Sequence, residues 1–328
     1  MMTDILGIDF GGTKILAGMV NPETGKIDSH AKKRTHVERG GDGVLQQLSE
    51  AIENALEGQE KPPAVGIGLA GNIDPARNAL TVAPNLPEDL VGTVIVDAVR
   101  KQVDAPVYLF NDVVAAAAGE AAFGAGAGHP DFVTVFVGTG IGGAIYRDGK
   151  PYRGASNTAG EIGHITIDAQ GRICGCGGLG HLEAYASRTA IVRTILAAMK
   201  QGRTSTLSQL VPDPDPDRVA GAPIRSKALK QALEDGDQLT REKLEEGAMF
   251  LAAGLSSLIN LYNPPLIILG GGLVGAIDSF FNRAATLARE TSLRTPGCAV
   301  EIVKATLEDF SGLVGAAVLA RAAEGNGK

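Results

Sequence analysis

The sequence predicts an α/β fold of two domains, made by duplication of one unit. Three observations predict it. Short apolar runs bounded by glycine alternate with segments of helical periodicity, the pattern of strands and helices in turn. Residues 7–13 (GIDFGGT) and 138–144 (GTGIGGA) share the pattern G-x-x-x-G-G. Each follows an apolar run and precedes another that ends in a turn, at 21–26 (NPETGK) and 147–150 (RDGK). The length, 328 residues, is more than one ordinary domain needs.

Taken in order, strands are expected at 5–8, 65–69, 107–110, 133–137 and 266–269, where β-branched and other apolar residues run together. Helices are expected at 43–56, 113–122, 191–199, 240–262 and 278–290. The 240–262 segment is apolar on most faces, which predicts burial, and Asn263-Pro264-Pro265 stops it. Residues 211–218 (VPDPDPDR) read as a loop, because prolines alternating with aspartates deny both helix and ladder their donors. A hinge near 112–116 gives a first domain of 1–114, joined by a C-terminal helix (312–324, in the segment 312–328) that folds back onto it. Residues 115–311 make the second domain.

The bulk composition excludes several classes. A formal charge of −7 with no Lys/Arg-rich block argues against nucleic acid or an anionic membrane as partner. No apolar run reaches the ~18 residues of a membrane span. The start, MMTDILGIDFGG, has no basic segment of the kind that opens a signal peptide. Three cysteines, two of them one residue apart, cannot frame a disulfide scaffold and fit a reducing compartment. The expectation is a cytoplasmic protein.

Glycine turns carry the first chemistry. Backbone N–H groups reach phosphate oxygens only where no Cβ blocks them. Turns at 7–14, 138–143 and 270–275 qualify. The first is not a Walker A loop, since Thr13-Lys14 stand in the wrong order and a strand-like run follows. Gly138/Gly140/Gly143 and Gly270/Gly272/Gly275 match G-x-G-x-x-G, but a hairpin follows the first and no ribose-reading acid follows the second. A dinucleotide enzyme accounts for one loop, whereas a nucleotide clamped between two domains accounts for all three.

Asn111-Asp112 end one apolar run and open the helical run VVAAAAGEAA. An aspartate at the carboxyl end of a strand stands where α/β folds place ligands. The competing reading is a helix N-cap, for which Asn and Asp are preferred. A hydroxyl-directed kinase needs a carboxylate aimed at the attacking hydroxyl; Mg²⁺ and glycine turns complete a sufficient kit. Further on, His164, Cys174, Cys176 and His181 are spaced H-x9-C-x-C-x4-H. Two thiolates and two imidazoles suit a tetrahedral structural Zn²⁺. Glu161 and Glu183 flank this cluster and can accept hydrogen bonds from sugar hydroxyls.

On these residues the chain resembles the ROK family (repressors, open reading frames and kinases), within the actin-like, ribonuclease H-like sugar-kinase superfamily. The resemblance covers essentially the whole length. GIDFGGTK (7–14) is similar to the family's first phosphate motif, GTGIGG (138–143) to its second, and LGGGLVG (269–275) to the motif beside the adenosine. AGEIGH (159–164) with CGCGGLGHLE (174–183) resembles the signatures E-x-G-H and C-x-C-G-x-x-G-C-x-E.

The resemblance implies ATP-dependent phosphorylation of a hexose, glucose to glucose 6-phosphate, with ATP and Mg²⁺ in an interdomain cleft and a homodimer as the assembly. It makes Asp112 the general base, and it makes Gly71, Asn85, Asn111, Asp112, Glu161, His164 and Glu183 the sugar-binding set. Asp9, Gly11, Gly12, Thr13 and Lys14 would meet ATP from the first motif, with Asp9 orienting the Mg²⁺ shell. Gly138, Thr139, Gly140, Gly271 and Gly272 would meet it from the other two. His164 would bind zinc through one ring nitrogen and face the sugar with the other. The chain departs from the family pattern in three places. His181 stands where a third Cys is usual, Ala70 replaces a Pro in the sugar loop GLAGNID, and Asn85-Leu86-Pro87 lacks the aromatic that often follows. Rival readings are a kinase for N-acetylmannosamine, fructose or mannose, a sugar-responsive repressor, and an NAD-dependent oxidoreductase. The repressor reading needs a DNA-reading domain before the first motif, and only six residues precede Gly7.

Overall fold

The computed structural model describes residues 4–83, 85–221 and 224–326. By internal contacts the chain forms two units: Met1–Pro130 with Tyr146–Ala159 and Thr306–Lys328, and Asp131–Ile145 with Gly160–Ala305. The expected boundary after 114 therefore falls inside a helix of the first unit. The reason is packing: that helix, α3 (Asp112–Phe123), lies along the C-terminal helix α11 (Ser311–Asn326).

The first unit is built on a five-stranded sheet of order β3-β2-β1-β4-β7. Its strands are β1 (Ile5–Phe10), β2 (Lys14–Val20), β3 (Ile27–Arg34), β4 (Val65–Leu69) and β7 (Val107–Asn111). β5 (Asn72–Asp74) and β6 (Ala79–Val82) form a separate ribbon. β1 pairs antiparallel with β2 and parallel with β4, so β1 and β2 are a hairpin closed by the first glycine turn. The period of two along a strand sorts its side chains to two faces. Leu6, Ile8 and Phe10 join a core with α1 (Gly40–Leu56) and α2 (Val94–Val103). Ile5 belongs instead to a second core with Leu313, Val314 and Ala317 of α11. Gly7 and Asp9 share that second face. A Cβ on Gly7 would fall on the Leu313 carbonyl, and one on Gly66 of β4 on that of Ala316. The two glycines thus let α11 lie against the sheet.

The second unit repeats the plan with the order β10-β9-β8-β11-β12. The strands are β8 (Phe132–Val137), β9 (Ile141–Arg147), β10 (Lys150–Pro151), β11 (Leu266–Gly270) and β12 (Glu301–Lys304). The division between units cuts β9, whose last two residues group with the first unit. Strand for strand, β8 takes the place of β1, β9 of β2 and β11 of β4, which is the duplication that the G-x-x-x-G-G repeat predicts. Around the sheet stand α4 (Glu183–Ala186), α5 (Arg188–Lys200), α6 (Ser226–Glu234), α7 (Gln238–Tyr262), α8 (Gly272–Ala276), α9 (Asp278–Thr291) and α10 (Arg294–Ala299). Helix α7 buries Leu244, Leu251, Leu255 and Ile259 but leaves Met249 and Leu261 exposed, so it is one-sided and not enclosed. It ends at Asn263, whose left-handed φ of 49° precedes the two prolines. The proline-aspartate loop gives way to a kinked 3-10 turn at Pro216–Gly221, a small departure from the expected irregular chain.

Elements outside the sequence expectations include β3, α2, α6 and β12. β3 (IDSHAKKR) alternates half-buried with exposed residues and has few apolar ones, so its place at a sheet edge is decided by pairing with β2. Among the described residues no helix is long and apolar enough to cross a membrane.

Candidate active site

In the first unit the β1–β2 turn is a tight one. Gly11 N–H donates to the Lys14 carbonyl at 3.0 Å, and Thr35 Oγ1 donates to the Gly11 carbonyl at 2.6 Å. A Cβ on Gly12 would lie 2.6 Å from the Asn85 carbonyl oxygen, so the sugar-loop residue Asn85 and the phosphate turn touch only because residue 12 is glycine. Thr13 is exposed at the tip. Lys14 is not a lone cation: its ammonium is 3.4 Å from Asp9 and 3.3 Å from Asp309. Burial pushes the Asp9 carboxyl up, against the pull of Lys14. For Asp309 burial acts in the same upward sense, but Lys32 (3.0 Å) and Lys14 outweigh it and hold the carboxyl below its usual range.

At the end of β7 the structure separates two neighbouring side chains. Asn111 is the cap of α3: its Oδ1 accepts from Val113 N–H at 3.0 Å and Val114 N–H at 3.1 Å. Its Nδ2 donates to the Gly71 carbonyl at 3.1 Å. Gly71 takes φ +149°, and a Cβ there would strike the Val82 carbonyl. Asp112, the first residue of the helix, is half-buried and has Oδ1 2.9 Å from Val113 N–H. The capping duty is therefore met without Asp112.

The second unit holds the other turns and the Cys/His cluster. Gly138 N–H closes the β8–β9 turn onto the Gly140 carbonyl at 2.9 Å. The N-terminus of α5 grips this turn: Arg188 N–H donates to the Gly138 carbonyl at 2.9 Å and Thr189 Oγ1 to the Thr139 carbonyl at 2.6 Å. Arg188 also donates from its guanidinium to Thr139 Oγ1 at 2.7 Å. Sequence reasoning missed Arg188; the signal was its place just after Ser187, which caps α5 through Ala190 N–H. Gly271, at φ +87°, packs its open side on Val137, so the third glycine loop begins beside the end of β8.

Glu183 links the turn to the cluster. Its Oε2 accepts from Ile141 N–H at 2.8 Å, where a Cβ on Gly140 would collide with it, and its Oε1 is 3.7 Å from the Cys174 sulfur. His164, Cys174, Cys176 and His181 each turn one ligand atom inward, all within 4.8 Å of one another. Cys174 Sγ is 3.8 Å from His164 Nδ1, and Cys176 Sγ is 3.2 Å from His181 Nδ1. Bonds of about 2.0–2.3 Å to a tetrahedral ion place its ligand atoms about 3.3–3.8 Å apart, so this donor set fits Zn²⁺ with little movement. Burial, with Glu183 and Cys176 close by, pushes the Cys174 thiol up to about 11, which a cation would reverse. The other ring nitrogen of His164, Nε2, is 3.9 Å from Glu161, the exposed carboxylate at the start of the 3-10 turn Ile162–His164. His164 is thus two-faced, with sulfur on one side and a carboxylate on the other.

The loop bearing the cysteines is buttressed from α7. Arg172 stacks over the Tyr185 ring at 4.6 Å and pairs with Glu246 at 2.8 Å, while Tyr185 Oη accepts from Arg172 N–H at 2.7 Å.

Comparison with known proteins adds the family context. The model described as ROK family matches residues 5–323. A glucokinase of Thermotoga maritima is 32% identical over 315 residues, covering 95% of this chain and 96% of the relative. A solved ROK family glucokinase from Streptomyces griseus, in complex with glucose and AMPPNP, superposes with a TM-score of 0.83 at 34% identity, covering 97% of this chain and 99% of that one. A xylose repressor of Caldicellulosiruptor bescii is 30% identical over 272 residues, 81% of this chain and 65% of the repressor.

Proposed function

The chain belongs to the ROK family and has the actin-like sugar-kinase fold, and from that premise we propose that it phosphorylates glucose to glucose 6-phosphate with ATP. The observation that carries the reading is the pair at the end of β7. Asn111 takes the helix cap and ties the Gly71 loop, so an aspartate stands at the strand end without being needed as the cap.

In this reading Asp112 accepts the proton of the sugar's 6-hydroxyl as its oxygen attacks the γ-phosphorus, and ADP leaves. Gly71, Asn85, Asn111, Glu161, His164 and Glu183 are the set that holds the sugar hydroxyls. The turns Gly11–Lys14 and Gly138–Gly140, with Gly271 and Gly272, receive the nucleotide, and Asp9 orients the Mg²⁺ shell. Bound Mg²⁺ supplies neutralisation of the charge on the phosphates. His164, Cys174, Cys176 and His181 would hold a structural zinc that fixes the His164 ring, so that Nε2 keeps its direction toward the sugar. A homodimer belongs to the same reading and is checked by light scattering.

A hexose panel tests the substrate. With ATP as donor, kcat/KM should be highest for glucose, ahead of mannose, fructose and N-acetylmannosamine. A higher value for any of those three would leave the kinase and replace its substrate.

A further inference from the structure

Arg188 is a cation whose surroundings are hard to explain by structure alone. It is half-buried, its guanidinium is further burdened by the positive charge of Arg225, and no carboxylate among the described residues offsets it. Both effects disfavour the charged form, yet an arginine does not give up its proton in a protein. Its side chain is not required to shape the glycine turn. The Arg188 N–H bond to Gly138 and the Thr189 hydroxyl bond to Thr139 already hold that turn from α5. What the guanidinium adds is a positive charge at Thr139, beside glycines with no side chain in the way.

A second observation points to the same place. Arg225 immediately precedes α6, and the next residue, Ser226, is 8% exposed with a hydroxyl that has no hydrogen-bond partner among the described residues. That hydroxyl lies 3.7 Å from where a side chain on Gly272 would begin. A buried hydroxyl without a partner is a costly arrangement unless a ligand completes it. Two guanidiniums and a donor hydroxyl, set against the second and third glycine turns, have the chemistry of a site for a chain of phosphates.

We propose that Arg188 and Arg225, with the Ser226 hydroxyl, hold the phosphoanhydride chain of the phosphoryl donor against the Gly138–Gly140 turn and Gly272. This rests on the kinase reading above and names residues of the donor site that the glycine motifs do not contain. Arg188, tied to Thr139, sets the position of the phosphates. Arg225, exposed, supplies the second charge, and the hydroxyl of Ser226 fixes the end nearer Gly272.

Calorimetric titration of the whole protein with three probes tests it: MgATP, inorganic tripolyphosphate and adenosine. Arg188→Ala should weaken MgATP by about 10–100-fold, the usual worth of a charged hydrogen bond, and leave adenosine unchanged. Arg225→Ala, at an exposed position, should weaken MgATP in the same sense by a smaller factor. Arg188→Lys should recover part of the loss. In turnover the KM for ATP should rise with the KM for hexose unchanged. If tripolyphosphate binds wild type as tightly as MgATP and shares the loss in Arg188→Ala, an inorganic chain is an equal source of the ligand. Unchanged MgATP affinity in both alanine variants overturns the proposal, as does an equal loss for adenosine, which would mean a collapsed turn. The two failures separate cleanly. A wild type that phosphorylates hexoses while its arginine variants bind MgATP normally refutes this inference alone. A wild type that phosphorylates none, yet loses MgATP with Arg188, refutes only the kinase reading.

Discussion

With the cap of α3 assigned to Asn111, replacing the neighbouring carboxylate should disturb chemistry far more than folding. Asp112→Asn keeps shape and removes the base, so kcat should fall by about 10²–10⁴ while glucose affinity changes far less. Retention of more than about a tenth of wild-type kcat, with the chemical step limiting, would remove Asp112 from its role. A similar argument applies to His181, which puts a neutral donor where the family pattern has a thiolate. Its Nδ1 faces Cys176, so the protein as purified should carry close to one zinc per chain. Cys174→Ser and Cys176→Ser should lose metal and activity together. His181→Cys should keep both, and His181→Ala should lose metal to a chelator at lower concentration than wild type. An active wild type free of metal would be the contrary result.

At the scale of elements, Glu120 in α3 is the tie that holds the start of α11. Fully buried, it accepts from Ala125 N–H and Thr306 N–H through Oε2, and from Leu307 N–H and the Ser311 hydroxyl through Oε1. Glu120→Gln must turn an amide nitrogen toward one of these donor pairs whichever way it lies. We expect a loss of about 2–4 kcal/mol in urea unfolding, since buried donors left without an acceptor cost about 1–3 kcal/mol each. A change below about 0.5 kcal/mol, the range of ordinary surface substitutions, would contradict this role. Such a tie was not legible in the sequence, because its partners Thr306, Leu307 and Ser311 lie 186 to 191 residues away along the chain. The strands were legible, since Ile5–Phe10 and Leu266–Gly270 are apolar at nearly every position, being covered on both faces. The Cys/His cluster was legible for a different reason: its four donor residues fall within one short segment, so spacing alone brings them together. Arg188 and Ser226 were not, because they acquire meaning only when α5 and α6 come beside the glycine turns.

At the scale of the molecule, the repeat of GIDFGG and GTGIGG becomes two sheets of the same strand order. The unit boundaries were not legible, because the chain passes between units at 130/131, 145/146, 159/160 and 305/306, and a composition shift marks none of these points. Each unit brings a glycine turn at the end of its first hairpin, and the proposed reaction needs both. A kinase of this design should also spare ATP from water when no sugar is bound, since in the proposed mechanism Asp112 acts on a sugar hydroxyl. The measurement that tests the central claim most directly is ³¹P NMR of purified protein with MgATP, first without and then with glucose. The account predicts slow release of inorganic phosphate in the first case. On adding glucose it predicts fast conversion to ADP and a hexose 6-phosphate in equal amounts. Inorganic phosphate appearing at one rate in both samples, or ATP left intact in both, would contradict it.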